Sequence, residues 1–191
     1  GVMLEQLLKV SFPVINVAGA SGQTGLAKML AAAPDGYTIS IMTGDTFGTQ
    51  AAGKPNWKFS DITPVAIMIK QPSAFFVPAN SPIKNWNDLV AEAKKRPLKV
   101  AVTGFGTPDD ITVNYFTKKG INLASVPFAN PGERYTAILG GHADLMYEQL
   151  GDVKTFLESK QMRPIVIFDT QRFPLYADVQ TCVEVGFPVI I

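Results

Sequence analysis

Short apolar runs rich in β-branched residues alternate with helical patterns along almost the whole chain, which limits the possible folds more than any other feature. Strand-like runs occupy residues 13–17, 37–42, 65–69, 74–77, 98–102, 124–128, 143–146 and 163–168. Helical patterns occupy residues 24–33, 86–96, 110–119, 132–139 and 153–160, and Leu4, Leu7 and Leu8 give the opening residues a helical apolar face. Strands separated by helices are joined by crossovers, which favour a mainly parallel sheet. Because the runs are apolar on both faces, helices are expected on both sides, and the chain is predicted to be a doubly wound α/β protein.

The charge balance excludes two classes of partner. The chain has 17 basic and 16 acidic residues among 191, and neither sign forms a run longer than residues 94–96. A protein that binds nucleic acid or an anionic membrane surface normally carries a basic patch, so we expect neither partner. The longest apolar runs are also far shorter than the roughly 20 residues that cross a bilayer.

Two segments rich in Pro, Asn, Gly and Ser are typical of connections, at residues 53–60 and 78–85. The strand and helix patterns beyond the second segment could close as a lobe of their own. We therefore expect two lobes, with residues 1–80 and 161–191 in the first and residues 81–160 in the second.

A glycine-rich segment follows the first strand-like run, with Gly19, Gly22 and Gly25 just before a helical pattern. Such spacing permits a tight turn and the close approach of an anion to a helix N-terminus, as in dinucleotide-binding proteins. Asp45 follows the next run at about the offset of the ribose-binding acid of those proteins. An NAD(P)-binding oxidoreductase is therefore the alternative function.

Tyr115 and Lys119 stand four residues apart, which is the spacing of the catalytic pair in short-chain dehydrogenases. Ile111, Val113 and Phe116 give the same segment the apolar face of an ordinary amphipathic helix. We therefore favour a tyrosine at the boundary of a packed face over a catalytic one.

A second glycine-bearing turn, Thr-Gly-Phe-Gly-Thr at residues 103–107, lies between a strand-like run and a helical pattern. Successive N–H groups and two hydroxyls around such a turn make a good receptor for a carboxylate. The alternative is a turn whose following acids, Asp109 or Asp110, cap the helix. Both glycine-bearing turns would lie at the carboxyl ends of strands, where ligands of doubly wound folds bind.

Catalytic and metal-binding patterns are weak. His142 is the single histidine and lies in a Gly-Gly-His segment that is expected to form an exposed turn, while Cys182 is the single cysteine. A transition-metal site draws on several such ligands, and nucleophilic catalysis by a Ser-His-Asp arrangement would depend on His142 alone. Asp144 follows that turn in a strand-like run and is expected to be a buried, hydrogen-bonded structural aspartate. We expect no cofactor, no metal and no catalysed reaction.

Seven segments, in this order, resemble the solute receptors of tripartite tricarboxylate transporters, also called the Bug family. They are Val-x-Asn-x-x-Gly-Ala-x-Gly-x-x-Gly at 14–25, Ala-Pro-Asp-Gly-Tyr-Thr at 33–38, Asp-Ile-Thr-Pro-Val at 61–65, Thr-Gly-Phe-Gly-Thr at 103–107, Val-Pro-Phe at 126–128, Gly-His-Ala-Asp-Leu-Met at 141–146, and Asp-Val-Gln-Thr at 178–181 with Glu-Val-Gly-Phe at 184–187. The similarity spans nearly the whole chain.

The resemblance implies a two-lobed periplasmic-binding-protein fold of type II, the Venus-flytrap fold, with parts of the N- and C-terminal regions lying outside this sequence. It implies a protein of the periplasm that captures a small carboxylate solute and delivers it to the membrane permease of the transporter. It also implies a monomer that has no cofactor and is not an enzyme.

Carried over by position, the resemblance implies three groups of solute-binding residues. The binding turn of the second lobe comprises Thr103, Gly104, Phe105, Gly106 and Thr107, with Asp109 beside it. The facing rim comprises Thr43, Gly44, Asp45 and Thr46, and the back wall comprises Tyr147, Glu148 and Gln149. The glycine segment at 18–25 is then a structural helix start.

The chain departs from the family pattern next to the binding turn. Pro108, Asp109 and Asp110 stand where family members tend to carry small hydroxyl residues and a histidine. Two carboxylates beside an anion site would repel the ligand unless they point away, cap the helix, or meet a cationic group on the solute.

Overall fold

Residue contacts divide the chain into two units, Gly1–Pro64 and Val65–Ile191, and the five strands found among the described residues all lie in the second. The computed structural model describes residues 1–52, 57–128 and 130–189. None of the helices in these ranges is long and apolar enough to span a membrane.

The regular structure of the first unit is helical. It contains α1 (Val2–Leu8), α2 (Gln23–Leu30), α3 (Gly44–Ala52) and 3₁₀ turns at Ala20–Gly22 and Phe59–Asp61. The helices predicted at the opening residues and at 24–33 are confirmed as α1 and α2. The sequence does not predict α3, because its two glycines and two threonines have low helix propensity.

Three of the predicted strands are wrong. Residues 13–17, 37–42 and 65–69 pair with no other strand among the described residues. Their apolar side chains are exposed, with Tyr37 at 93% and Ile67 at 91%. An apolar run indicates only a preference for burial, whereas a strand also requires a neighbour for its backbone hydrogen bonds.

The second unit contains one five-stranded sheet in the order β3-β2-β4-β1-β5. Its strands are β1 (Ser73–Pro78), β2 (Leu98–Val102), β3 (Leu123–Pro127), β4 (Leu145–Gln149) and β5 (Met162–Ile167). Its helices are α4 (Trp86–Lys95), α5 (Pro108–Lys118), α6 (Pro131–Leu139) and α7 (Lys154–Glu158), with a 3₁₀ turn at Pro174–Tyr176. The prediction of these strands and α-helices is confirmed to within a few residues at each end.

β1 runs antiparallel to both of its neighbours, β4 and β5, whereas β2 is parallel to β3 and β4. Four of the five strands therefore point the same way, as expected for a mainly parallel sheet, and β1 is the exception that makes the sheet mixed. β1 has the continuous apolar sequence of a parallel strand because it is buried on both faces. Burial does not encode strand direction.

Alternate residues of β1 enter two different cores. Phe75 packs against Phe116 of α5 and against Phe168, with ring centroids 5.6 and 4.9 Å away. Phe76 joins the apolar residues of α6 and α7 on the other face, including Ile138. Packing on both faces fixes the strand ends and therefore the loops that leave them.

The sheet crosses the lobe boundaries predicted at residues 80 and 160. β1 and β5, which the prediction places in the first lobe, hydrogen-bond into the same sheet as the strands of residues 81–160. The contacts divide the chain at Pro64 instead. The two-lobe arrangement itself stays a prediction.

Candidate functional site

The predicted site residues of the second unit lie at one edge of the sheet, in the turn after β2, the start of α5 and the end of β4. β4 and β5 run against β1, and β2 and β3 run with β4, so the carboxyl ends of these four strands share that edge. The turn after β2 begins at Thr103, and the neighbouring β4 ends at Gln149. Ligands of open α/β sheets bind outside this edge.

Asp109 engages two donors of the turn after β2. The backbone N–H of Thr103 donates to one carboxylate oxygen of Asp109, and the hydroxyl of Thr107 donates toward the other. The same hydroxyl lies 2.5 Å from the carbonyl oxygen of Gly104. Asp109 is buried, so water does not compete for these hydrogen bonds.

Asp110 engages the same turn at a second point. The backbone N–H of Gly106 donates to the Asp110 carboxylate at 2.8 Å. Gly106 has a φ of 76°, which glycine adopts without strain. Both acids lie in the first turn of α5, where the helix dipole favours negative charge.

The turn therefore binds carboxylate oxygens, and the oxygens it binds belong to the protein. The Asp109 and Asp110 side chains do not point away from the turn; from the start of the helix their carboxylates accept from the turn's backbone N–H groups. The ring of Phe105, at the tip of the turn, is 72% exposed. Contact of this turn with a solute stays a prediction.

Side chains at the end of β4 point to both faces of the sheet. Tyr147 is buried in the core beside α5, and its ring stacks on that of Phe168 with centroids 5.4 Å apart. Glu148 lies on the face toward α6. The side-chain amide nitrogen of Gln149 donates to the carboxylate of Glu148 at 2.7 Å and to the carboxylate of Asp152 at 3.0 Å. These contacts make Tyr147 a core residue, and its place in a solute site stays a prediction.

A buried ion pair between Arg134 and Glu148 lies at the same edge. Nη2 of Arg134 donates to Oε2 of Glu148 at 2.6 Å, and both residues are 5% exposed. Nη1 donates to the carbonyl oxygen of Phe128 at 3.1 Å. The hydroxyl of Tyr135 lies 3.4 Å from the same Glu148 oxygen, and burial together with that carboxylate raises the pKa of Tyr135 to about 12. The tyrosine is therefore protonated at neutral pH and can donate to Glu148.

Arg134 is not among the site residues predicted from the sequence, although the sequence carries a signal for it. Arg134 precedes Ala137 and Ile138 by three and four residues, so it stands on the buried stripe of α6. A charge on an apolar stripe is rarely buried without a partner. That pattern alone predicts a buried counter-ion, but it does not identify Glu148.

The predicted residues 43–46 lie at the start of α3 in the first unit. Thr46 is buried, and its hydroxyl donates to the carbonyl oxygen of Ser21 at 3.2 Å. The side-chain amide of Gln23 donates to the carbonyl oxygen of Thr46 at 2.8 Å. Thr43, just before the helix, and Gly44, its first residue, are exposed and are the residues of this segment that a solute could contact. That contact stays a prediction.

The structure gives the oxidoreductase alternative no support. The glycine segment packs closely on α3: a Cβ atom at Gly22 would lie 2.8 Å from the hydroxyl oxygen of Thr46. Asp45 lies in the first turn of the same helix. The Lys119 ammonium lies over the ring of Tyr115, 5.9 Å from its centroid, as a cation–π contact.

Two further expectations concern isolated polar residues. Asp144 accepts hydrogen bonds from Arg96 at 2.6 and 2.8 Å and from the backbone N–H of Lys99 at 2.8 Å, so its hydrogen-bonded structural role is confirmed. It is only partly buried and lies just before β4, so the expectation of a buried residue within a strand is wrong. Within the described ranges, no three His, Cys, Asp or Glu side chains gather as they would around a metal ion.

The chain matches the family model described as the tripartite tricarboxylate transporter family receptor over residues 3–190. It is 27% identical over 187 residues to the UPF0065 protein in the gbd 5′ region of Cupriavidus necator, covering 93% of this chain and 56% of that protein. It is 24% identical over 188 residues to the protein BugT of Bordetella pertussis, covering 94% of this chain and 58% of BugT. The chain thus spans a little over half the length of these relatives.

Solved structures share the fold. MatC of Rhodopseudomonas palustris, with bound malate, has a TM-score of 0.79 and 26% identity over 98% of this chain and 66% of MatC. An R. palustris protein with adipate has a TM-score of 0.84 and 24% identity over 100% of this chain and 66% of its own. The periplasmic binding protein BugD has a TM-score of 0.82 and 23% identity, covering 96% of this chain and 63% of BugD.

Proposed function

Because the chain belongs to the receptor family of the tripartite tricarboxylate transporters, we propose that the protein is a periplasmic solute receptor. It captures a small carboxylate-bearing molecule and delivers it to a membrane permease. The observation that carries the proposal is the family match over residues 3–190. The malate and adipate of two proteins with the same fold are in keeping with a carboxylate ligand.

The proposed binding surface in the second unit is the carboxyl edge of the sheet. The turn at residues 103–107 and the end of β4 lie on adjacent strands there. Two backbone donors of the turn are held by Asp109 and Asp110, so the solute is proposed to contact other groups at this edge. Residues 43–46 form the proposed contribution of the first unit.

The proposed receptor is a two-lobed monomer, and its lobe boundaries differ from those expected from sequence. β1 and β5 belong with the lobe of residues 81–160, because they are part of its sheet. Binding without catalysis is proposed because the family is one of receptors.

A thermal-shift screen of the full chain tests the proposal. The panel consists of acetate, malate, adipate and citrate, with NAD and NADP for the alternative function. A carboxylate present at a hundred times its dissociation constant should stabilise the folded protein by about 2.7 kcal/mol. Stabilisation by a dinucleotide, with no response to any carboxylate, would overturn the proposal.

A further inference from the structure

We propose that Arg134 of the second unit pairs with the solute's carboxylate. We also propose that the Arg134–Glu148 ion pair determines which solute charge the receptor selects. This inference rests on the proposed receptor function and adds to it a residue outside the turn at 103–107.

Three donors of the turn are already engaged by the protein and are not free for a solute. The N–H groups of Thr103 and Gly106 and the hydroxyl of Thr107 are engaged by Asp109 and Asp110. Two anionic side chains at this position also oppose the approach of a third carboxylate. A cation at the same edge would offset that repulsion.

Arg134 is a cation at that edge, and its hydrogen bonding is incomplete. A carboxylate prefers to pair with a guanidinium through two parallel N–H···O bonds. Glu148 uses only Nη2, and its other oxygen accepts from the backbone N–H of Gln149 at 3.2 Å. The neighbouring Nε–H of Arg134 is buried and has no acceptor among the described residues. On the guanidinium edge formed by Nε and Nη2, Nη2 thus has an acceptor and Nε has none.

Backbone contacts place Arg134 next to the turn. Its Nη1 donates to the carbonyl oxygen of Phe128 at 3.1 Å, and the N–H of Phe128 donates to the carbonyl oxygen of Val102 at 2.7 Å. Val102 is the last residue of β2 and immediately precedes Thr103. A single residue therefore connects the guanidinium to the strand end where the turn begins.

Glu148 is the counter-ion that makes a buried arginine tolerable in the absence of solute. A buried charge without a partner is strongly destabilising. A solute carboxylate on the Nε side would share Arg134 with Glu148, and the two anions would repel each other. Neutralising Glu148 should therefore strengthen the binding of an anion, and removing Arg134 should weaken it.

Titration calorimetry on the full chain tests this inference with every member of the acetate, malate, adipate and citrate panel that stabilises the wild type. Glu148→Gln should raise the affinity by about ten-fold, because it removes one competing charge. The double variant Arg134→Met with Glu148→Gln should bind about ten-fold or more weakly than the wild type. Glu133→Gln, which neutralises an exposed carboxylate on the same helix, should stay within about two-fold of the wild type.

Opposite signs in the single and double variants distinguish this role from a structural one, because both variants break the same ion pair. The double variant leaves the site neutral, so its comparison with the wild type decides the question even if Glu148→Gln does not fold. Equal affinities in the wild type and the double variant would overturn the inference and leave the receptor function standing. A wild type that responds to no carboxylate would overturn both.

Discussion

At the scale of single residues, Asp109 and Asp110 determine the shape of the turn after β2. Their carboxylates accept from Thr103 and Gly106, which are three residues apart on the turn. The sequence identified this turn as a carboxylate receptor because of its glycines and hydroxyls. It could not identify which carboxylate is bound, because the direction of an aspartate side chain at a helix start depends on the loop that packs against it.

Asp109→Ala should lower the free energy of unfolding by about 2 kcal/mol, because it leaves the Thr103 N–H and the Thr107 hydroxyl without their charged acceptor. Urea denaturation measures the change. Glu133→Ala is the matched control, since Glu133 also lies in the first turn of a helix but is exposed, and it should cost less than about 0.5 kcal/mol. Equal losses in the two variants would show that the turn does not depend on Asp109.

At the scale of helices and strands, the sequence predicts those elements whose own residues carry the information. Asn85 caps α4 by accepting from the N–H of Asp88, and Trp86, Leu89 and Ala93 form its buried stripe, all of which can be found by inspection of the sequence. The direction of β1 depends instead on strands that follow it by about seventy residues or more, so no local pattern contains it. The pairing of Arg134 in α6 with Glu148 in β4 is long-range in the same way.

The ion pair between Arg96 and Asp144 joins the end of α4 to the start of β4, and it makes stability depend on pH. Burial opposes ionisation of Asp144, but hydrogen bonds from Arg96 and from the backbone of Lys99 outweigh it and lower its pKa below the ordinary 3.8. A carboxyl whose pKa is lower in the folded state stabilises that state fully at pH values above its unfolded pKa, and this stabilisation is lost as pH falls through the folded pKa.

Asp144→Asn should therefore cost about 1 kcal/mol at neutral pH, a modest value because Arg96 is half exposed, and progressively less below about pH 4. Urea unfolding of both proteins across this range measures the difference. In an Arg96→Met background the pH dependence of that difference should shrink. A difference that grows on acidification would contradict this account.

At the scale of the whole molecule, the sequence predicted the class of fold but not where the chain divides. The connection at 78–85 has the composition of a linker, yet it follows β1, a buried interior strand of the second unit's sheet. Composition reports exposure to solvent, and an exposed connection can join two parts of one sheet as readily as two lobes. The family resemblance gave the fold correctly because it used the order of seven segments rather than the character of any one.

Amide hydrogen exchange on the full chain should separate the sheet from the unpaired apolar runs. The slowest exchange is expected in the central strands β1, β2 and β4, since their hydrogen bonds break only when the unit unfolds. Residues 13–17, 37–42 and 65–69 should exchange much faster, because they form no ladder with another described strand. Protection of residues 37–42 equal to that of β2 would show that this run is paired in the protein.

Asp109 and Asp110 also determine how concentrated a free carboxylate must be to compete with them for the N–H groups of the turn. A carboxylate tethered one or a few residues from its donors is present at an effective concentration in the millimolar range or higher. A free carboxylate at micromolar concentration is outnumbered about a thousand-fold at the amides that Asp109 and Asp110 occupy. A nutrient scavenged from dilute solution therefore has to be recognised through groups that these two side chains leave available.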